Sequence, residues 1–377
     1  MLFLFSVMRV TSLAVLLLVA SVIATQAADD AVGIGPPPVV ASGQAPPLPK
    51  QGPMAEPRSS SQVGFPAALT ALVIPPASPV TPAATALGEK LFFELAIEDL
   101  SQAADMFRPV WDRTRGVDGW VSLEVSPLLA HDTKSTLAAA VDLHRRAGKP
   151  NLFIKIPGTK EGLPAIEEAI FAGVPINVTL LFSREHYVAA AEAYLRGIER
   201  RIAAGLSPDV TSVASLFISR WDAAVASQVP APLRNRLGIA IAQRAYKAYR
   251  ELLGSARSQR IYNEGGRPQR LLWASTGTKD AAASDILYVK ALAAPFTVNT
   301  MPENTVKAFA DHGDVDDILP VDGGDCEEIL KQFAKAGVDI DALATQLQED
   351  GAKSFVKSWD ELMGVISAKS ELLKKAS

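Results

Sequence analysis

The sequence is poor in the residues that build disulfide frameworks and zinc sites. It has one cysteine, Cys326, and four scattered histidines among 377 residues. A single cysteine cannot form an internal disulfide, so we expect no disulfide partner and no zinc-type metal centre. A basic surplus is also lacking, because 37 Lys and Arg stand against 41 Asp and Glu, for a net charge of −4. Proteins that bind nucleic acid present clustered positive charge, so no nucleic-acid partner is expected.

The apolar residues of the chain are unevenly distributed. Overall, 48% of residues are hydrophobic and 21% are charged, which suits one large globular domain or two ordinary ones. Residues 1–27 are almost wholly apolar apart from Arg9, and they end in small residues around Ala27. This pattern is typical of a secretory signal segment, with a membrane signal anchor as the alternative.

Residues 28–88 form a second segment that is rich in proline and alanine. Thirteen of the 26 prolines lie between residues 36 and 82, and Phe65 is the only aromatic residue of the segment. Such a segment buries too little apolar surface to offset the entropy lost on ordering, so we predict that it is disordered or loosely draped. Residues 67–74 alone have the composition of a short strand or helical turn.

Residues 89–377 have the composition and periodicity of a folded domain. Apolar positions at helical spacing predict one or two helices over 89–115, and apolar strand candidates then alternate with helices. The strands are predicted at 120–125, 151–156, 176–182, 211–218, 270–275 and 296–300. The helices are predicted at 133–147, 161–173, 184–204, 219–253, 279–293, 302–311 and 325–375.

This alternation indicates parallel strands joined by right-handed crossovers. The strand candidates are apolar on both faces, as in a sheet that helices cover. No Gly-x-Gly-x-x-Gly sequence follows a strand, so a dinucleotide-binding fold lacks support. The predicted fold class is therefore α/β, a (β/α)8 TIM-barrel type that is incomplete, with six recognisable βα units.

A single lysine lies in the second of these strands. Lys155 follows Leu152-Phe153-Ile154 and precedes a Pro-Gly turn and a helix that Thr159 can cap. Strand alternation puts Phe153 and Lys155 on one face. Removing water from such an ammonium favours the neutral amine, which is the form that attacks a carbonyl to make a Schiff base. The alternative is a solvated or ion-paired lysine without a chemical role.

Polar side chains also mark the neighbouring strands. They are Glu124, Asn177, Thr179, Ser215, Arg220, Ser275 and Lys279. A carboxyl group such as Glu124 can move protons during Schiff-base formation, while Asn177 and Thr179 can hold substrate hydroxyls. Arg220, Lys279 and Ser275 can bind a phosphate. The alternatives are that Glu124 is a structural ion-pair partner of Lys155, that Arg220 is a surface charge, and that the Ser-Thr-Gly-Thr turn only caps a helix.

Six sequence strings, in order, resemble the bacterial type of transaldolase, a class I aldolase-like barrel. They are VSLEVSP, IKIPGTKEGLPAI, INVTLLFS, VASLFISRWD, RLLWASTGTK and VNTMPENT, and the similarity runs from about residue 91 to about residue 369. The resemblance implies transfer of a dihydroxyacetone unit from a ketose phosphate, such as sedoheptulose 7-phosphate or fructose 6-phosphate, to an aldose phosphate. It implies a place in the pentose phosphate pathway, a cytoplasmic location, and neither a metal nor an organic cofactor.

The resemblance also implies a role for each candidate residue. Lys155 matches the Schiff-base lysine, and Glu124 matches the glutamate that relays protons through a bound water. Asn177 and Thr179 match the pair that contacts the intermediate and that water. Ser215, Arg220 and Ser275 match the family residues that contact the substrate and its phosphate. Lys279 lies near a position where related branches use an arginine.

The segment before residue 89 departs from the family pattern. The family begins with a strand ending in an acid-base aspartate, followed by a strand with a Thr-Ser-Asn-Pro-like turn, and residues 1–88 contain neither. We therefore expect a barrel with open edges, and we expect residues 1–88 not to be the natural start. A genuinely exported, inactive or altered protein is the alternative explanation.

The sequence is compatible with several functions. Besides a transaldolase, the sequence allows a catalytically impaired remnant that only binds sugar phosphates, a simple class I aldolase, and a membrane-tethered or exported structural protein. Donor preference and oligomeric state are left open.

Overall fold

A computed structural model describes residues 82–315 and 317–376 of the chain. The predicted signal-like segment, almost all of the proline-rich segment and the possible element at 67–74 lie outside the described residues. The described helices are α1 (Pro82–Arg113), α2 (Thr133–Ala147), α3 (Gly162–Phe171), α4 (Arg184–Ala203), α5 (Ser219–Val225), α6 (Leu237–Gly254), α7 (Ala256–Asn263), α8 (Leu287–Ala291), α9 (Glu303–His312), α10 (Cys326–Lys335) and α11 (Ile340–Ala376). The described strands are β1 (Val121–Glu124), β2 (Leu152–Pro157), β3 (Ile176–Leu181), β4 (Ser212–Phe217), β5 (Arg270–Ala274) and β6 (Val298–Asn299).

Within this described part, the six strands form one sheet in the order β1-β2-β3-β4-β5-β6, and every neighbouring pair is parallel. Parallel neighbours need crossover connections, and helices supply them between successive strands. The sheet curls into an incomplete barrel, so the predicted α/β class and TIM-barrel type are confirmed with six strands described.

The sheet separates two hydrophobic cores, which explains why its strands are apolar throughout. The outer core includes Leu123, Ile154 and Val178 of the sheet and packs against helices α1 to α4 and α6. The inner core includes Phe153 and Val213 and packs against α5, α6, α10 and α11. Side chains alternate between these cores, so the prediction that Phe153 and Lys155 face away from Ile154 is confirmed.

Three long predicted helices are broken, each for a local reason. The predicted helix 219–253 is interrupted between α5 and α6, where Pro230 precedes a short 3-10 turn and Pro232 lies within it, and neither proline can donate a backbone hydrogen bond. The predicted helix 325–375 divides at Gly337, whose φ of 88° is left-handed. The predicted helix 279–293 shrinks to α8, because the Asp280 carboxylate accepts hydrogen bonds from the Ala282 amide and the Asn235 side chain instead.

One strand also breaks the predicted alternation. Strict alternation along 176–182 predicts that Leu180 lies on the face opposite Asn177 and Thr179, but Leu180 belongs to the inner core and Leu181 to the outer core. Leu180 has a φ of 59°, and the pairing of β3 with β4 is irregular between Val178 and Leu181. A left-handed residue in a strand interrupts the two-residue period, so the prediction was wrong from Leu180 onwards.

Helix α11 crosses the inner core and then packs along α1. The Trp359 ring meets Phe92 edge-on at 5.1 Å between ring centroids, and Met363 lies against Gly88, so the two helices run antiparallel. Helix α1 begins at Pro82, earlier than the predicted start at 89. None of the described helices combines the length and the apolarity that crossing a membrane requires.

We predict that acidification destabilises the fold through two histidines. Burial lowers the pKa of His144 and His186 below the ordinary 6.5, and the His186 ring accepts a hydrogen bond from the Phe182 amide. The unfolded chain therefore takes up these protons first, and the free energy of unfolding falls as the pH drops below 6.5. Urea unfolding of the His186→Asn variant, which keeps an acceptor, should show a weaker loss of stability between pH 6.5 and pH 5 than the native chain.

An identical pH dependence in the native chain and in the His186→Asn variant would contradict a role for His186.

Candidate active site

The site is centred on a buried ion pair between adjacent strands. Lys155 Nζ lies 3.1 Å from Glu124 Oε2, and the two side chains are only 7% and 4% exposed. The parallel register of β1 and β2 pairs Glu124 directly with Lys155, so both side chains reach the inner face at the same level. A proton can pass between these two groups, and burial strengthens their mutual attraction. The predicted juxtaposition is present, and it agrees with both a catalytic and a structural pair.

An asparagine links three strands next to this pair. Asn177 is paired with Lys155 in the sheet register, its Nδ2 donates to Ser122 Oγ at 3.2 Å, and its Oδ1 accepts from Ser215 Oγ at 2.7 Å. The two hydroxyls fix the orientation of the amide. Asn177 and Ser215 were predicted site residues, whereas Ser122 was not, although it shares the alternating face of Glu124.

Two buried hydroxyls at the strand ends have no protein partner in the described part of the chain. They belong to Thr179, on β3 beyond Asn177, and to Ser126, which follows β1 on the alternating face of Glu124. A buried hydroxyl without a hydrogen bond costs about 1–3 kcal/mol, so such groups are expected to bind water or a ligand. Thr179 therefore fits the predicted contact with an intermediate or a water, and Ser126 is an additional candidate.

Arg220 lies at the carboxyl end of β4, in the first turn of α5. Its guanidinium carbon is 5.1 Å from the centre of the Phe217 ring and 5.9 Å from that of Phe355. Burial lowers the pKa of Arg220, and among the described residues no carboxylate lies within 4 Å of it. A partly buried cation without a counter-ion is suited to bind an anionic ligand, which disfavours the surface-charge interpretation.

Ser275 lies beside the turn that carries Arg220. Its hydroxyl is 3.0 Å from that of Ser219, and the Ser219 amide donates to the Ser275 carbonyl. Ser275 has a left-handed φ of 57°, which turns the chain away from β5 at this point.

The remaining hydroxyls of the Ser-Thr-Gly-Thr turn have structural partners. Thr276 donates to the Thr300 carbonyl and Thr278 to the Ser284 carbonyl, so the turn braces a loop and does not cap a helix. Lys279 is exposed, and no contact within the described residues ties it to Arg220, so its phosphate role stays a prediction.

The base of helix α5 is fixed by a buried carboxylate. Asp222 accepts hydrogen bonds from the Leu237 and Gly238 amides at the start of α6 and from the Tyr288 hydroxyl at 2.9 Å. Burial raises the pKa of Asp222, and these three bonds oppose that rise. The Asp222 contacts hold the helix that presents Arg220.

Helix α11 supplies a wall of the site that the sequence pattern did not reveal. The Phe355 ring centre lies 5.9 Å from Lys155 Nζ and 5.9 Å from the Arg220 guanidinium carbon. Gly351 and Gln348, one and two turns earlier respectively, contact the end of β3. The helical spacing of these residues predicts that they face the core, but it does not predict which strand ends they contact.

The fold and the geometry of the site together define the class of protein. A curled parallel sheet with polar side chains gathered at the carboxyl ends of its strands is the arrangement of (β/α)-barrel enzymes. The buried amine beside a carboxylate further indicates an enzyme that acts through a lysine.

Comparisons with known proteins give the family. The family model described as Transaldolase/Fructose-6-phosphate aldolase matches residues 79–366. The transaldolase of Saccharopolyspora erythraea is 45% identical over 280 residues, which cover 72% of this chain and 76% of that protein. The transaldolase of Mycobacterium tuberculosis is 43% identical over 276 residues, covering 71% and 74% respectively. The chain belongs to the transaldolase family, and it is an enzyme of the transferase class.

We predict that the two members of the central ion pair depend on each other for stability. Glu124→Leu leaves the Lys155 ammonium buried without its counter-ion and should lower the free energy of unfolding by about 3–5 kcal/mol. Adding Lys155→Met removes the stranded charge, so the double variant should recover most of that loss. Denaturant unfolding of both single variants and the double variant measures the coupling. Strictly additive losses would show that the pair is not coupled.

Proposed function

We propose that Lys155 forms a Schiff base with a ketose phosphate and that the chain transfers a dihydroxyacetone unit from it to an aldose phosphate. The observation that carries this proposal is the buried Lys155–Glu124 pair, which shares one sheet face with the Asn177–Ser215 hydrogen bond. Family membership supports the same reaction, and sugar phosphates are the substrates of that family.

The first half-reaction needs a neutral amine and two proton transfers. The lone pair of Lys155 adds to the ketose C2 carbonyl, the nitrogen loses a proton, and the carbonyl oxygen gains one to give a carbinolamine. Protonation of the new hydroxyl lets it leave as water and yields an iminium ion. Glu124 is placed to accept and return these protons, either directly or through a water that Thr179 binds.

Carbon–carbon cleavage then uses the iminium as an electron sink. A base removes the C4 hydroxyl proton, the C3–C4 bond breaks, its electrons form an enamine on Lys155, and an aldose phosphate leaves. The enamine attacks the aldehyde carbon of the acceptor in the reverse sense, and hydrolysis of the new iminium frees the ketose product and Lys155.

The base for cleavage is proposed to be a buried carboxyl group. The buried carboxyl groups of the described residues are Asp118, Glu124 and Asp222. Asp118 lies 3.6 Å from Arg270 at the amino end of β5, and Asp222 is held at the start of α6, which leaves Glu124 as the candidate within residues 82–315 and 317–376. This observation favours, as second candidate, a chain that binds sugar phosphates and forms the Schiff base but turns over poorly.

The phosphate group is proposed to bind at Arg220, with the Ser275 hydroxyl beside it. Arg220 is partly buried and unpaired within the described residues, and a planar guanidinium can hold two phosphate oxygens at once. Lys279 is proposed as a further contact from the loop after β5. We also propose that the reaction belongs to the pentose phosphate pathway in the cytoplasm, where such substrates occur.

We predict that sodium borohydride traps fructose 6-phosphate on Lys155. Reduction converts the iminium to a stable secondary amine, so mass spectrometry of the digested protein should find the substrate carbons on the peptide with Lys155. Lys155→Met should abolish labelling. Lys160→Met, which alters an exposed lysine in the next turn, is the matched control and should label like the native chain.

An unlabelled native chain would overturn the Schiff-base proposal. With labelling established, turnover that depends on an added aldose phosphate identifies transfer, and cleavage without an acceptor identifies an aldolase. Labelling without either, together with a rise in Tm on adding fructose 6-phosphate, identifies the second candidate.

A further inference from the structure

A strained residue lies directly beyond the Thr179 hydroxyl. Leu180 adopts a φ of 59°, in the left-handed region that side chains with a Cβ avoid. Such a conformation persists only where surrounding contacts impose it, and strained residues of this kind concentrate at functional sites. The contacts that impose it here come from helix α11.

The side-chain amide of Gln348 holds this backbone on two sides. Its Nε2 donates to the Leu180 carbonyl at 2.9 Å and to the Gly158 carbonyl at 3.2 Å. The Gly158 amide in turn donates to the Thr179 carbonyl at 2.7 Å. One side chain from α11 therefore joins the turn after the lysine strand to the bulge after the threonine, with both of its amide hydrogens used.

Two further residues on the same face of α11, Gly351 and Phe355, lie against the site. A Cβ on Gly351 would lie 2.9 Å from Leu180 Cδ2 and 3.2 Å from Arg220 Nη1, so the helix packs closely against both side chains at this position. Phe355 lies over both Lys155 and Arg220. Gln348, Gly351 and Phe355 are three and seven residues apart, the spacing of one helix face.

We propose that Gln348 is a positioning residue for the Schiff-base centre, holding Leu180 left-handed and thereby aiming the Thr179 hydroxyl at the inner face next to Lys155. This inference rests on the proposed function. It assigns α11 a role in proton transfer without direct contact with the reacting atoms, because among the described residues the Gln348 amide donates its hydrogen bonds to the backbone carbonyls of Gly158 and Leu180. Thr179 Oγ1 has no hydrogen-bond partner of its own among those residues, so no side chain fixes its direction through a hydrogen bond.

The test compares Gln348→Met with Gln346→Met. Methionine keeps the length of the side chain but donates no hydrogen bond. Gln346 is exposed on the same helix, and its side chain donates a hydrogen bond to Asp350 at 3.5 Å. Gln348→Met should lower kcat for dihydroxyacetone transfer by about 10- to 100-fold, and slow borohydride labelling of Lys155 in parallel, as expected for loss of one or two hydrogen bonds that matter in the transition state. The KM for fructose 6-phosphate should change less than threefold, because Arg220 stays in place.

Gln348→Glu should be more impaired than Gln348→Met, because a carboxylate faces two carbonyl oxygens that it cannot serve as a donor. A role in packing alone predicts that Gln348→Met, which preserves volume, keeps the kcat of Gln346→Met. Equal kcat values would therefore overturn the proposal. If Gln348→Met fails to fold, Gln348→Glu, which keeps the shape of the side chain but loses both donor hydrogens, must lower kcat, and an unchanged kcat there overturns the proposal as well.

Different results would overturn the Schiff-base proposal and the role of Gln348. Absence of the borohydride adduct in the native chain removes the Schiff base and the role of Gln348 with it. A normal native adduct together with an unchanged Gln348→Met removes only the role of Gln348.

Discussion

The arrangement of the site depends on the parallel pairing of β1 with β2. That register places Glu124 and Lys155 side by side on the inner face, where water is largely excluded. Neither charge is tolerable there without the other, since an isolated buried ion costs several kcal/mol. The pairing of the two strands therefore also decides whether the two charges meet. A slip of either strand by one residue would turn its charged group towards the outer core and leave the other without a counter-ion.

A second cation near the first distinguishes this site from a purely structural ion pair. The centre of the Phe355 ring lies 5.9 Å from Lys155 Nζ and 5.9 Å from the Arg220 guanidinium carbon, and Arg220 has no carboxylate near it among the described residues. The amine beside an acid suits the carbonyl of the proposed sugar phosphate, and the guanidinium without an acid suits its anionic phosphate. The aromatic ring near both cations supplies an apolar wall that helps to keep them partly desolvated.

Much of this could be predicted from the sequence, for physical reasons. Strand-helix alternation determines a parallel sheet, and strict side-chain alternation brings Lys155, Glu124 and Asn177 to one face of it. The alternation fails at Leu180, because a left-handed leucine depends on a hydrogen bond from Gln348, far along the chain. The contacts of α11 are equally non-local, since an amphipathic pattern predicts burial but not the partner. Residues 1–81 lie outside the described residues, so the secretory signal and the disorder of the proline-rich segment stay predictions there.

The central claim is that a ketose phosphate bridges Lys155 and Arg220. A crystal structure of the borohydride-reduced adduct with fructose 6-phosphate tests it most directly. The account predicts continuous density from Lys155 Nζ to C2 of the sugar, with the phosphate at the Arg220 guanidinium and the Ser275 hydroxyl. Density for the sugar on another lysine, or a phosphate bound away from Arg220, would contradict it.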